Sequence, residues 1–83
     1  MPQINYTQKA VKDLKKINSS DRNRILRAIE KLTKDDIEYY PLIGPLKGLY
    51  KLRVGNYRII FDKPKPDNLL IRYIRHRKDV YNI

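Results

Sequence analysis

LYKLRVGNYRIIFD, residues 49–62, decides the fold. Apolar and polar side chains alternate on either side of Gly55-Asn56, a pair that suits a two-residue hairpin turn. Such a turn fixes which residues face each other. Val54 then lies opposite Tyr57, Arg53 opposite Arg58, Leu52 opposite Ile59, Lys51 opposite Ile60 and Tyr50 opposite Phe61. One face carries Val54, Tyr57, Leu52, Ile59, Tyr50 and Phe61, all apolar or aromatic, and is the expected core face. The other carries Arg53, Arg58, Lys51, Ile60, Leu49 and Asp62. Two arginines directly opposed destabilise a hairpin by a few tenths to about 1 kcal/mol. A sheet selected for stability alone would avoid that, so the cluster points to an anionic ligand on an open face. Exposed strand faces also carry Lys and Arg simply to discourage edge pairing. On this cluster alone the two readings stand level.

Outward from the hairpin, Leu69 to Ile74 is a third apolar, β-rich run. The segment Lys63-Pro64-Lys65-Pro66-Asp67-Asn68 should leave the ladder, because two prolines remove two donors. In a regular third strand Arg75 would share a face with Ile71 and Tyr73, and Arg72 would point towards the helices. A bulge or strand end near Ile74-Arg75 would relieve that. Upstream, Pro41, Gly44, Pro45 and Gly48 mark residues 35–48 as a loop, in which Tyr39 and Tyr40 are expected to pack over the core. Ala10, Val11, Leu14 and Ile17 recur at helical spacing after Thr7, a suitable N-cap. Asn18-Ser19-Ser20 breaks the pattern, and Ser20 can cap a second helix that buries Ile25, Ala28, Ile29 and Leu32. Its other side carries the stripe Arg24, Arg27, Lys31 and Lys34, for which a solvated face is the commoner explanation. Gln3 to Tyr6 is a short strand. The fold class is therefore α+β: an N-terminal strand, an antiparallel helical hairpin, and a three-stranded antiparallel meander with the helices on one face.

The chain has 83 residues, enough for one small domain, 1–83, and no second core. It has no cysteine and a single histidine, which excludes a disulfide framework and disfavours structural zinc. Nineteen Lys and Arg against nine Asp and Glu give a formal charge of +10. Residues 1–34 and 49–83 each hold nine basic and three acidic side chains, flanking a nearly neutral connector. That excess calls for a polyanion, by default nucleic acid. Seven tyrosines and 41% hydrophobic residues are too many for a disordered basic tail. No apolar run approaches a membrane span and no signal-peptide core is visible, so the expected setting is cytoplasmic, without membrane contact.

Leu46-Lys47-Gly48-Leu49-Tyr50-Lys51-Leu52-Arg53-Val54-Gly55-Asn56-Tyr57-Arg58-Ile59-Ile60-Phe61 resembles the central signature of the RelE/ParE toxin superfamily. Ile74-Arg75-His76-Arg77-Lys78-Asp79-Val80-Tyr81 resembles its C-terminal signature, in the form of the RelE-like branch. The resemblance implies the toxin of a type II toxin–antitoxin system: a ribosome-dependent endoribonuclease that cuts messenger RNA in the decoding site without a metal or other cofactor. It also implies a RelB-like antitoxin, and operator DNA bound only through the antitoxin complex. The alternatives are a ParE-like gyrase inhibitor without catalysis and a degenerate member serving as corepressor.

Carried over residue by residue, the resemblance makes Lys51, Arg58, Arg75 and Tyr81 catalytic. Leu49 departs from the pattern, standing where a second lysine is usual, and Arg53 could supply the missing charge. Arg53, His76, Arg77, Arg24, Arg27 and Lys31 are the expected RNA-binding side chains, although His76 by itself would favour a structural role. Metal-free RNA cleavage needs a proton acceptor for the 2′-OH and cations for charge developing on the phosphate oxygens. Guanidinium groups suit the second need, because they bind phosphate in a bidentate fork and keep their charge. No Gly-rich phosphate loop or carboxylate cluster for Mg²⁺ is present.

Overall fold

The structure, a computed structural model, describes residues 3–65 and 67–80. Strand β1 (Gln3–Tyr6) leads into helices α1 (Gln8–Lys15) and α2 (Ser19–Thr33). A two-residue strand β2 (Tyr40–Pro41) and a 3₁₀ turn (Gly44–Leu46) precede strands β3 (Tyr50–Val54), β4 (Tyr57–Lys65) and β5 (Asn68–His76), and a last helical turn α3 (Arg77–Val80) follows. The sheet order is β1-β5-β4-β3-β2, with β1 parallel to β5 and the other pairs antiparallel.

The β3–β4 hairpin has the register that its turn dictates, from Val54↔Tyr57 to Tyr50↔Phe61. Gly55 supplies the positive φ, at 57°, as the first turn residue. Leu52, Ile59 and Phe61 are fully buried beneath the helices. Ile25, Ala28, Ile29 and Leu32 of α2 join them, with Leu69, Ile71 and Ile74 of β5.

The helix caps follow local chemistry. Thr7 accepts from the Ala10 N–H at 3.1 Å. The cap of α2 is Asn18 rather than Ser20: its Oδ1 accepts from the Asp21 N–H at 2.9 Å, while its amide donates back to the Asp21 carboxylate. Helix α2 ends at Asp35, which takes φ 53°, so that the Asp35 and Asp36 N–H groups reach back to Leu32 and Lys31 carbonyls.

Four further features differ from expectation. Val11 is 40% exposed, and the buried residues of α1 are Ala10 and Asp13, the latter only 9% exposed. The spacing Ala10, Asp13, Ile17 turns α1 onto β5. Residues 35–48 are not all loop, since β2 pairs Tyr40 with Lys51 and Pro41 with Tyr50. A strand this short with a proline suits the sheet edge. Strand β4 runs on to Lys65 through Pro64, because a register shift between Asp62 and Lys65 gives β4 an extra residue there. Finally, the parity change in β5 comes at Arg72, not at Ile74-Arg75. Ile60 pairs with Tyr73 but Phe61 pairs with Ile71, leaving Arg72 as the bulged residue.

That bulge is held from α1. Strand β1 covers β5 only as far as Ile71. Beyond it, the Thr7 hydroxyl donates to the Arg72 carbonyl at 2.5 Å. The buried Asp13 carboxylate accepts from the Ile74 N–H at 3.0 Å and pairs through its other oxygen with Lys9 at 2.6 Å. A side chain thus satisfies a backbone donor where no strand is available. Asp13→Ala strands that N–H and should lower the unfolding free energy by about 2–3 kcal/mol. Lys9→Ala, which removes only a half-exposed partner, should cost about 0.5 kcal/mol. Urea titrations check both; equal small losses would mean that the carboxylate does not hold the bulge.

Candidate active site

The face of the sheet away from the helices presents two rows of side chains across its strands. Arg53, Arg58 and Arg75 are cross-strand neighbours on β3, β4 and β5. Beside them run Tyr40, Lys51, Ile60 and Tyr73, from β2 to β5. Because neighbouring strands are about 4.8 Å apart, each row is a tight line. The Arg72 bulge makes these rows possible: it keeps Ile71 and Ile74 in the core while Tyr73 and Arg75 face out.

Among the described residues, no acidic side chain forms a salt bridge with Lys51, Arg53, Arg58 or Arg75. The Arg75 guanidinium lies 5.2 Å from the Tyr73 ring centroid, while its buried Nε has no hydrogen-bond partner among the described residues. Its charge is held over an aromatic face rather than neutralised.

A depression of about 260 Å³ lies between Arg53, Arg58, Tyr57 and Arg77. The Arg77 N–H donates to the Asn56 carbonyl at 2.6 Å, which ties the start of α3 to the hairpin turn. A second groove, about 360 Å³, joins Arg24, Arg27 and Lys31 of α2 to Arg53. The Arg24 guanidinium lies beside Gly55: a Cβ built there would stand 3.4 Å from it, an ordinary van der Waals contact. The basic helix stripe and the arginine row therefore form one continuous band around the turn.

The structure does not bring His76 into this band. His76 is on the helix side of β5, its ring perpendicular to that of Tyr57 at 5.1 Å, beside Asp13, Lys16 and Ile17. Its Nδ1 accepts from the Lys78 N–H at 3.1 Å, which caps the last helical turn. Tyr81 lies outside the described residues. Leu49 stands before β3, with its carbonyl accepting from the Leu42 N–H at 2.9 Å. Arg53 is the second basic side chain that β3 contributes to the open face.

Tyr39 and Tyr40, expected to act alike, divide. Tyr39 packs edge-on against Tyr50 and Phe61. Tyr40 is 47% exposed on the open face, and its hydroxyl is hydrogen-bonded to Glu38 at 3.0 Å. That bond to a carboxylate raises its pKa, against the nearby Arg53, so the phenol stays neutral at ordinary pH. Burial, with the Asp21 carboxylate, likewise raises the pKa of Tyr57. Tyr73 was not singled out from the sequence, because only the bulge reveals its face.

A family model described as the ParE toxin of type II toxin–antitoxin systems matches residues 4–81. The chain belongs to this family, within the RelE/ParE toxin superfamily. It is the toxin component of a type II toxin–antitoxin system. No curated protein matches the sequence. Among solved structures, it is similar to a chain of the RelB-RelE antitoxin-toxin complex from Methanococcus jannaschii, with 29% identity, a TM-score of 0.72, and 94% of this chain and 95% of that one covered. It is similar to a chain of the RelBE2 toxin-antitoxin complex from Mycobacterium tuberculosis at 26% identity and TM-score 0.65, covering 93% and 100%. YafQ from E. coli shares the fold at 16% identity, with a TM-score of 0.76 over 98% and 99% of the two chains. Among the described residues, no helix is long and apolar enough to cross a membrane.

The uncompensated arginine row predicts a trade of stability against function. Arg53→Thr or Arg58→Thr should raise folding stability by about 0.5 kcal/mol at low salt, with the gain shrinking as salt screens the repulsion. Chemical denaturation at two ionic strengths measures it; destabilisation by both changes would show that the arginines are structural.

Proposed function

We propose that this toxin is a ribosome-dependent endoribonuclease that cleaves messenger RNA in the decoding site, with the open sheet face as its active site. The observation that carries this reading is the row Arg53-Arg58-Arg75, three guanidinium groups in line without an acidic partner among the described residues. Such a row is costly in the free protein and suited to a phosphodiester. The phosphate oxygens would receive the Arg58 and Arg75 forks, which hold the scissile group and stabilise the charge that builds on it. Arg53 would supply the second cation of β3, the charge that Leu49 does not provide.

In the reaction, the substrate's 2′ oxygen forms a new bond to phosphorus and the bond from phosphorus to the 5′ oxygen breaks. The 2′-OH proton must be taken up and the departing oxygen must receive one. Arginine cannot give up its proton, so Lys51 is the basic side chain of the cluster able to exchange one. The family resemblance assigns Tyr81 to the same centre, for stacking or proton transfer. The band Arg24, Arg27, Lys31 and Arg77 would dock ribosomal RNA, and its contribution should fall steeply with salt.

The antitoxin reading rests on similar chains occurring in antitoxin-toxin complexes. A RelB-like partner would cover the basic face, and operator DNA would be bound only through that complex.

The name of the matching family model favours a second reading, a gyrase inhibitor without catalysis. Arg58→Ala separates the two. On programmed ribosomes it should lower the single-turnover cleavage rate by about 10²- to 10³-fold, as for loss of one donor to a developing oxyanion. Ribosome binding should fall less than tenfold. Equal losses would remove Arg58 from the chemistry. Inhibition of supercoiling by wild-type protein that leaves messenger intact would select the gyrase reading.

A further inference from the structure

Beside the arginine row the open face has a small apolar hollow of about 120 Å³. Its floor is Ile60 and Tyr73, and one wall is Leu42 and Leu46. Lys51, Arg58 and Arg75 form its rim. Ile60 is only 6% exposed yet stands apart from the main core, on the opposite side of the sheet. The wall is prebuilt. The Leu42 N–H bonds to the Leu49 carbonyl at 2.9 Å, and the Lys47 and Leu49 N–H groups bond back to Gly44 and Leu46 at 3.0 and 3.1 Å. Gly44 and Gly48 take the positive φ values, 71° and 100°, that fold this segment on itself.

We infer that this hollow receives one unstacked nucleobase of the RNA strand, its flat face against Tyr73, Ile60, Leu42 and Leu46, while the attached phosphate lies on Arg58 and Arg75. The inference deepens the RNA-cleavage reading and rests on it for the identity of the strand. The volume admits a single ring system. Its lining is apolar with an aromatic ring, which suits the face of a base, and its rim is cationic, which suits the phosphate on the same nucleotide. A protein side chain could use the apolar floor but would leave three rim cations without a matching anion. A base held by its face is recognised with little regard to sequence. The hollow would therefore position the strand at the cleavage point and contribute little to codon choice.

The test is an NMR titration of the ¹⁵N-labelled full chain, which needs neither ribosomes nor cleavage. Adenosine 3′-monophosphate should shift the amides of Leu42, Leu46, Ile60 and Tyr73 as well as those of Arg58 and Arg75. Inorganic phosphate should shift only the arginine set. Tyr73→Ala should weaken the nucleotide about tenfold or more and phosphate less than twofold, while Tyr73→Phe stays within twofold of wild type for both. Should Tyr73→Ala not fold, Leu46→Trp, at a residue 42% exposed, fills the hollow from the solvent side and should have the same selective effect. Identical shift patterns for nucleotide and phosphate would overturn the inference, leaving an anion site alone. A nucleotide that moves no hollow residue would also overturn it. Neither result bears on cleavage, which the ribosome assay decides separately.

Discussion

The open face depends on one extra residue in β5. Arg72 bulges out of the ladder with β4, and every side chain after it changes sides. Without that step Ile74 would leave the core and Arg75 would enter it, where an arginine is costly to bury. The bulge is fixed by helix α1. Thr7 takes the Arg72 carbonyl and Asp13 takes the Ile74 N–H. Both contacts lie at the edge of β5 that β1 is too short to cover. The first helix of the chain thereby determines which way an active-site candidate near its end points.

With the bulge in place, the two faces of the sheet have opposite logic. Beneath the helices, the burial of Leu52, Ile59, Phe61, Ile71 and Ile74 supplies the driving force for folding. On the open face, repulsion between Arg53, Arg58 and Arg75 opposes it. A small domain has little stability to spare, so the arrangement makes physical sense if a polyanion relieves the repulsion during function. The basic stripe of α2 is continuous with the row around Gly55, which extends the same field around the hairpin turn.

The hairpin was legible in the sequence because Gly55-Asn56 set a register in which every core-facing position is apolar. The helical hairpin was legible from its spacing, apart from Val11 and Asp13. A buried carboxylate reads as a surface residue until its partner, a backbone N–H far along the chain, is known. The bulge at Arg72 was out of reach for a related reason. Alternation signals that a parity change is needed near Arg72 to Arg75 but not where it falls, and the deciding contacts come from α1. The same shift explains why Tyr73 was missed and why His76, beside a catalytic candidate in sequence, lies on the other side of the sheet. Tyr39 and Tyr40 divided because Tyr40 begins β2 on the open face, while Tyr39, just before that two-residue strand, packs on Tyr50 and Phe61.

The central claim is that this face cuts RNA held by the ribosome. Primer extension on a defined messenger, incubated with purified toxin with and without programmed ribosomes, tests it most directly. The account predicts cuts only when ribosomes are present, within the codon in the decoding site. An intact messenger under conditions in which expression of the toxin still arrests growth would contradict it.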